Sequence, residues 1–242
     1  MIRRFVIAVL VFVVVVVVAA DRVGALVAEH VLAGKVQTDE HLPNRPDVTI
    51  GGFPFLTQAA HGRYKDVTVK ATDFPVGDLS VTRLTAHLYG VHISLSDAIH
   101  RSVSRVPVER VVGTAFVSYS AVNSYLAGHG PLGSRVSVHG GNGGKAEVVD
   151  RVEVAGRAVS LRGEGTLTLS GNTVDVGVTT LAGLPGSTVA AGLIRRVLAS
   201  LSIAIPVRGL PFRMRLSSVS LSSGGVTVAG SATNVVLGSR GA

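Results

Sequence analysis

The sequence predicts an α+β fold in which antiparallel β-sheet predominates. Apolar and polar residues alternate with a period of two in several short segments, a pattern typical of strands that cover a core on one face. The chain has 242 residues, 47% of them hydrophobic, so it can bury a sizeable core. The alternating segments are residues 67–71, 91–95, 136–138, 167–169, 174–178 and 226–228.

The N-terminus predicts export. Two arginines precede an unbroken apolar run at residues 5–20, which as a helix is about 24 Å long against a bilayer hydrocarbon core of roughly 30 Å. Val18 and Ala20 stand before Asp21 where signal peptidase accepts small residues. We favour a cleaved signal peptide; the alternative is an uncleaved anchor, because the helical pattern resumes after Asp21. Under either interpretation a single domain, residues 21–242, lies outside the cytoplasm.

Composition excludes some classes of function. The chain has no cysteine, which excludes disulfides, thiolate catalysis and cysteine-type zinc sites. Its net charge of +8 points to anionic lipid head groups or an acidic cell wall, although a solvated surface explains the charge equally well. Nucleic acid is disfavoured, because there is no tryptophan and aromatic residues make up only 5% of the chain.

Three helices are predicted between the strands. The first covers residues 21–35, with Asp21 as its cap and a loop following at residues 37–47. The others cover residues 118–126 and 187–202, and the last of these is a candidate to lie inside a curled sheet. The first helix carries a stripe formed by Val23, Leu26, Val27, His30 and Val31.

Residues 79–95 predict an unusually long strand. The apolar positions change parity near Arg83 and again near Gly90, so bulges at both places would keep them on one side of a bent strand. The alternative is two ordinary strands joined near Gly90. The glycine-rich residues 140–144 predict a turn between strands rather than a phosphate loop.

A search for catalytic motifs identifies no residue to assign. The sequence has no GxSxG, HExxH or P-loop pattern. Asp97 and His100 could share a helical turn, and Asp39 with Glu40 forms an acidic pair, but both patterns are typical of a solvated surface. We therefore predict a binding protein without cofactor or metal, and keep two alternatives: an enzyme of envelope glycolipid metabolism and an envelope scaffold without ligand.

Residues 48–69 carry a family resemblance. They contain Gly-Phe-Pro-Phe-Leu-Thr-Gln at residues 52–58, followed by Gly62 and Tyr64. This pattern resembles the signature of the LmeA-like phospholipid-binding family of actinobacterial cell-envelope proteins. An Asp-Arg-Val helix start at residues 21–23 and a Gly-Leu-Pro-Phe segment at residues 209–212, which echoes the first motif, agree with it.

The resemblance implies both a fold and a function. The fold is similar to tubular lipid-binding (TULIP/BPI-like) domains, in which a long curved antiparallel sheet wraps around a helix. The function it implies is phospholipid binding at a membrane surface in a periplasm-like space, with anionic, phosphatidylinositol-type lipids as ligands. The same resemblance implies support of mannan elongation of lipomannan, and lipid transfer is a further possibility.

The candidate lipid-binding residues combine apolar and basic side chains. We expect Phe53 to meet acyl chains and Phe55 to serve as ordinary core. Basic residues near an opening would meet the phosphate, and Lys65 and Arg208 are further basic candidates. The complete set of primary candidates is Phe53, Pro54, Phe55, Leu56, Leu210, Phe212, Arg63, Arg195 and Arg196.

Overall fold

The structure of the protein is a computed structural model. It describes residues 2–39, 41–76, 78–94, 96–97, 105–129, 137–141, 145–154, 157–182, 203–206 and 214–237. Within these ranges the helices are α1 (Ile2–Asp39), α2 (Phe55–His61) and α3 (Tyr119–His129). The strands are β1 (Asp47–Gly51), β2 (Arg63–Val76), β3 (Leu79–His92), β4 (Val106–Ser118), β5 (Ser137–Gly140), β6 (Ala146–Val154), β7 (Arg157–Ser170), β8 (Thr173–Ala182), β9 (Ile203–Pro206), β10 (Arg215–Leu221) and β11 (Gly225–Leu237).

The strands form two sheets. One has the order β1-β2-β3-β4-β11-β10 and the other the order β5-β6-β7-β8-β9. Antiparallel pairing joins β1 to β2, β10 to β11, and each neighbour in the second sheet. Strands β2, β3 and β7 have 14 residues each, more than twice the usual length of about 5–6. The prediction of a mostly β, antiparallel α+β fold with long strands is confirmed.

The chain divides into two compact units, and several long strands contribute residues to both. The first unit contains Met1–Ala71, Thr85–Val112 and Ala232–Ala242; the second contains Thr72–Leu84 and Gly113–Ser231. In the first unit α1 packs on β1 and α2. Its core consists mainly of β-branched and aromatic side chains, as expected for strands with one buried face: Val48, Ile50, Phe55, Tyr64, Val67, Val91, Val108 and Val111.

In the second unit, asparagine side chains connect elements by satisfying backbone groups. The Asn123 carboxamide on α3 donates to the carbonyl of Val138 at 3.0 Å and accepts from its N–H at 2.7 Å, which fixes α3 against β5. Asn172, in the turn between β7 and β8, does the same for Met214 and Leu216. The core of this unit includes Val81, Val117, Tyr119, Ala146, Val148, Val174 and Met214.

Most of the predicted elements fall within the described residues. Helix α3 confirms the helix predicted at residues 118–126. Strand β3 runs through Gly90 as one strand, with Gly90 at a positive φ of 63°, but it ends at His92 rather than at residue 95 as predicted. The first predicted helix is longer than expected, because α1 begins at Ile2 and continues to Asp39, inside the predicted loop. The helix predicted at residues 187–202 and the second motif at residues 207–212 lie outside the described residues.

Helix α1 is also long and apolar enough to cross a membrane. Its 38 residues correspond to about 57 Å, and all described residues before Asp21 are exposed. The length and composition of this helix are those of a membrane span. A signal sequence near the N-terminus has the same features. Residues 2–20 therefore contribute nothing to the buried core.

Candidate functional site

From Asp21 onward, α1 presents two faces of different character. The face towards the first unit is made of Asp21 and small residues, of which Ala25 and Ala33 are each 6% exposed. The opposite face carries the predicted apolar stripe, and its four aliphatic side chains are 55–63% exposed. Amphipathic helices usually turn their large apolar side chains to the core. Here small residues make the contact, and these large side chains face outward: Val23, Leu26, Val27 and Val31.

Gly24 lets α1 approach the start of α2 closely. A Cβ atom at this position would lie 3.4 Å from the Phe55 ring and 3.5 Å from the Leu56 side chain. Phe55 is 7% exposed and packs on Tyr64 with ring centroids 6.1 Å apart. Burial raises the pKa of the Tyr64 phenol. Phe55 thus belongs to the core of the first unit and fixes α2 against α1.

Asp21 stabilises α2 rather than α1. Its Oδ1 accepts the backbone N–H of Leu56 at 2.8 Å, and its Oδ2 accepts from Arg22 Nη2 at 3.0 Å. The side chain is only 1% exposed. The prediction that Asp21 caps its own helix is wrong: α1 is continuous at this point, so the backbone N–H groups that need an acceptor are those of the first turn of α2.

Arg22 and Phe53 form an exposed pair beside this contact. The guanidinium carbon lies 5.0 Å from the centroid of the Phe53 ring, within range of a cation–π interaction. The Arg22 side chain is 50% exposed and Phe53 is 58% exposed. Leu56, in the first turn of α2, is 45% exposed. Two large exposed apolar side chains therefore lie beside the part of α1 that contains Arg22 and Gly24.

Six exposed apolar side chains lie on α1 and on the segment packed beside it: four on the outward face of α1, Phe53 against Arg22, and Leu56 next to Gly24. We name this set the apolar surface, and the Arg22 guanidinium lies at its edge, over Phe53. Single exposed apolar residues are ordinary, whereas several exposed apolar side chains on neighbouring segments are typical of a site of interaction. The apolar surface consists of Val23, Leu26, Val27, Val31, Phe53 and Leu56.

Gln58 holds the loop that presents Phe53. This buried side chain donates to the carbonyl of Gly51 at 3.1 Å and accepts the N–H of Lys65 at 2.9 Å, so it joins the end of β1 to the start of β2. Gly52 has a φ of 91°, and a Cβ there would come within 2.9 Å of the Gln58 amide nitrogen. The Gly-Phe-Pro-Phe-Leu-Thr-Gln motif thus specifies a tight loop, which includes a cis Phe53–Pro54 peptide.

A polar groove adjoins the apolar surface at Leu26. Its volume is about 250 Å³, and α1 and the segment leading into β1 form its walls. Glu29 in this groove accepts the N–H of Ile50 at 2.8 Å, and Arg45 donates to the carbonyl of His30. The groove therefore contains both signs of charge and lies further along α1 than Phe53 does.

The predicted site residues differ in their exposure and in their partners. Phe53 and Leu56 are both exposed beside α1, Phe53 at Arg22 and Leu56 at Gly24. Pro54 is exposed at the start of α2, and Phe55 is buried. Arg63 Nη2 lies 2.7 Å from Glu109 Oε1, so its charge already has a partner. The remaining candidates lie outside the described residues: Arg195, Arg196, Leu210 and Phe212.

The sequence does not identify Arg22 as a site residue. Its position indicates only the start of a helix, and nothing local links it to Phe53, 31 positions later in the chain. Only the Asp-Arg-Val segment at residues 21–23, which agrees with the family pattern, could have pointed to Arg22. Among the described residues, no group of three or more histidine, aspartate or glutamate side chains is arranged to hold a metal ion.

Comparison with known proteins identifies a family for the chain. A family model described as LmeA-like phospholipid-binding matches residues 19–231 of the 242-residue chain. The match includes all six residues of the apolar surface and Arg22. No curated protein and no solved structure matches the chain. The likeness to tubular lipid-binding domains is therefore a prediction that these comparisons do not address.

Proposed function

Because the chain belongs to the LmeA-like phospholipid-binding family, we propose that it binds phospholipid through the apolar surface. In this proposal acyl chains lie against Phe53 and Leu56, and the phosphate lies near Arg22. The observation that carries the proposal is the exposure of Phe53 and Leu56 beside a half-exposed guanidinium. Neither side chain is needed for the core of the first unit, which Phe55 fills.

The chemistry of a phospholipid matches this arrangement. Burying acyl methylene groups contributes about 0.8 kcal/mol each, so apolar contact supplies most of the affinity. A guanidinium binds phosphate oxygens with charge-assisted hydrogen bonds. Arg22 gives one nitrogen to Asp21, which orients the side chain, and its planar fork retains donors for a ligand.

The setting of the protein is part of the same proposal. The chain is exported to a periplasm-like space of an actinobacterial envelope, where it binds anionic, phosphatidylinositol-type lipid and supports mannan elongation of lipomannan. Its action is binding or transfer rather than catalysis. The apolar N-terminal helix, the net charge of +8 and the family support these statements. Residues 21–242 act as one domain, and Arg63, Arg195, Arg196, Leu210 and Phe212 remain candidate contacts.

Mass spectrometry of lipid bound to the purified protein tests the proposal. The chain beginning at Asp21 is suitable, because residues 2–20 are exposed and bury nothing. We expect its organic extract to contain stoichiometric diacyl phospholipid, and a double variant, Phe53→Asp with Leu56→Asp, to lose it. Val236→Asp is the matched control, since Val236 is 44% exposed but lies on β11, outside the apolar surface.

Two outcomes would contradict the proposal. One is a lipid-free extract together with no binding to anionic vesicles added afterwards. The other is equal retention of lipid by the double variant and the Val236→Asp control. The second outcome would move the binding site to another part of the chain.

A further inference from the structure

On the outward face of α1, exposed apolar side chains continue past Asp21 and Arg22, where the apolar run of the sequence stops. Residues 5–20 provide about 24 Å of helix, whereas the hydrocarbon core of a bilayer is roughly 30 Å thick. Completing the span takes about 20 residues, which ends it near Gly24. Val23, Leu26 and Val27 on α1 are all exposed and apolar on the outward face, so the lipid-compatible part of the helix extends past Asp21.

Asp21, at which the apolar run stops in the sequence, does not face lipid. Its side chain is 1% exposed, and its two oxygens accept from the Leu56 N–H and from Arg22. A carboxylate satisfied in this way does not oppose extension of the span on the outward face of the helix. Arg22 is long enough to bring its guanidinium up to the phosphate level while its stem stays in an apolar environment.

We infer that α1 is retained as a transmembrane anchor and that the apolar surface is seated at the outer hydrocarbon boundary of the membrane this helix spans. Gly24, where the span is complete, is also the residue next to Leu56. Phe53 and Leu56 are thereby placed where acyl chains meet head groups. The inference rests on the proposed function and deepens it, because the bound phospholipid then comes from the outer leaflet of the protein's own membrane.

The distribution of polar residues along α1 agrees with this depth. The head-group region adds about 5–7 Å on each side of the hydrocarbon core, equal to about three to five helical residues beyond Gly24. Glu29 and His30 lie there and line the polar groove with Arg45. The polar groove thus lies at the depth of the head groups on one side of α1, while the apolar side chains Val27 and Val31 continue on its outward face.

Retention of the helix also agrees with its local structure. The candidate cleavage site after Ala20 lies inside one uninterrupted helix, and a peptidase must bind its substrate in an extended conformation. A cleaved signal peptide, which the sequence alone favours, and a retained anchor predict different N-termini for the mature protein.

The absence of tryptophan makes fluorescence depth measurement a clean test. The full chain would be reconstituted in phospholipid vesicles whose acyl chains carry bromine either near the glycerol or near the terminal methyl group. Two single variants are compared, Phe53→Trp at the proposed boundary and Val14→Trp near the middle of the span. Leu56→Trp is a second boundary variant, and the intact mass of protein isolated from cell membranes reports cleavage.

We expect shallow bromines to quench Phe53→Trp and Leu56→Trp more than deep bromines do, with the reverse order for Val14→Trp. We also expect an intact mass that includes residues 5–20. A mature chain beginning at Asp21, or boundary tryptophans that neither bromine position quenches, would overturn the inference. Phospholipid that co-purifies with the chain beginning at Asp21 separates the two claims: lipid found there, without quenching in the vesicles, refutes only the seating, whereas its absence there also refutes the proposed function.

Discussion

Replacing Phe53 and Leu56 together by serine should weaken the binding of the chain beginning at Asp21 to phospholipid vesicles. Fully burying a phenylalanine or leucine side chain contributes about 1.5–3 kcal/mol. Phe53 is 58% exposed and Leu56 is 45% exposed, so contact with acyl chains would recover roughly half of this value for each. The pair therefore contributes about 1.5–3 kcal/mol, which corresponds to a fall in vesicle affinity of about 10-fold to 150-fold.

Flotation of the protein with vesicles over a range of lipid concentrations measures this change. Val236→Ser is the control, because Val236 has nearly the same exposure as Leu56, 44% against 45%. Thermal unfolding of both variants should match the parent chain, since exposed positions contribute little to stability. An unchanged vesicle affinity in the double variant, or an equal loss in the control, would refute the assignment of these side chains to lipid contact.

Three further predictions concern how the loop is held in place. Gln58→Ala should lower the free energy of unfolding by about 1–3 kcal/mol in chemical denaturation, because the Gly51 carbonyl and the Lys65 N–H lose the buried side chain that joins them. Thr57→Ala, on an exposed neighbour, should change it little. Gly24→Ala should raise the melting temperature, since its Cβ meets only ordinary contacts and helix propensity improves, whereas Gly24→Leu should lower it through overpacking. Burial raises the pKa of Tyr64, so the contribution of this phenol to the free energy of unfolding should be constant below about pH 10 and should fall above it. In Tyr64→Phe the free energy of unfolding should therefore fall less steeply at alkaline pH. The role of Gln58 would be contradicted if Gln58→Ala were as stable as Thr57→Ala. The packing at Gly24 would be contradicted if Gly24→Ala were destabilising. The burial of Tyr64 would be contradicted if Tyr64→Phe lost stability at alkaline pH as steeply as the parent chain.

The sequence predicts those features that depend on local patterns. Alternation identifies parts of β2, β5, β7, β8 and β11, whereas the segment predicted at residues 91–95 is strand only as far as His92. Strand β3 remains one strand through Gly90, where glycine tolerates a positive φ. The different environments of Phe53 and Phe55 are also expected from the sequence. Phe53, in the loop, is exposed, and Phe55, the first residue of α2, is buried.

Features that depend on contacts between distant segments were not predictable. The stripe of α1 has the spacing of a buried helix face, yet it is exposed, because Gly24, Ala25 and Ala33 make a closer contact than large side chains would permit. Asp21 has the residue type and position of a helix cap, but the turn that it caps begins 34 residues later at Phe55. Both errors arise because periodicity describes one element alone and does not identify its partner.

The most direct test of the central claim is photocrosslinking of the full chain with a phospholipid that carries a photoactivatable group on its acyl chain. Peptides bearing the lipid adduct are then identified by mass spectrometry. Phospholipid binding through the apolar surface predicts adducts at residues 53–56 and on the outward face of α1 between Val23 and Val31, and loss of the former in the variant with Phe53 and Leu56 replaced by serine. Adducts confined to other peptides, or adducts unaffected by that variant, would contradict it.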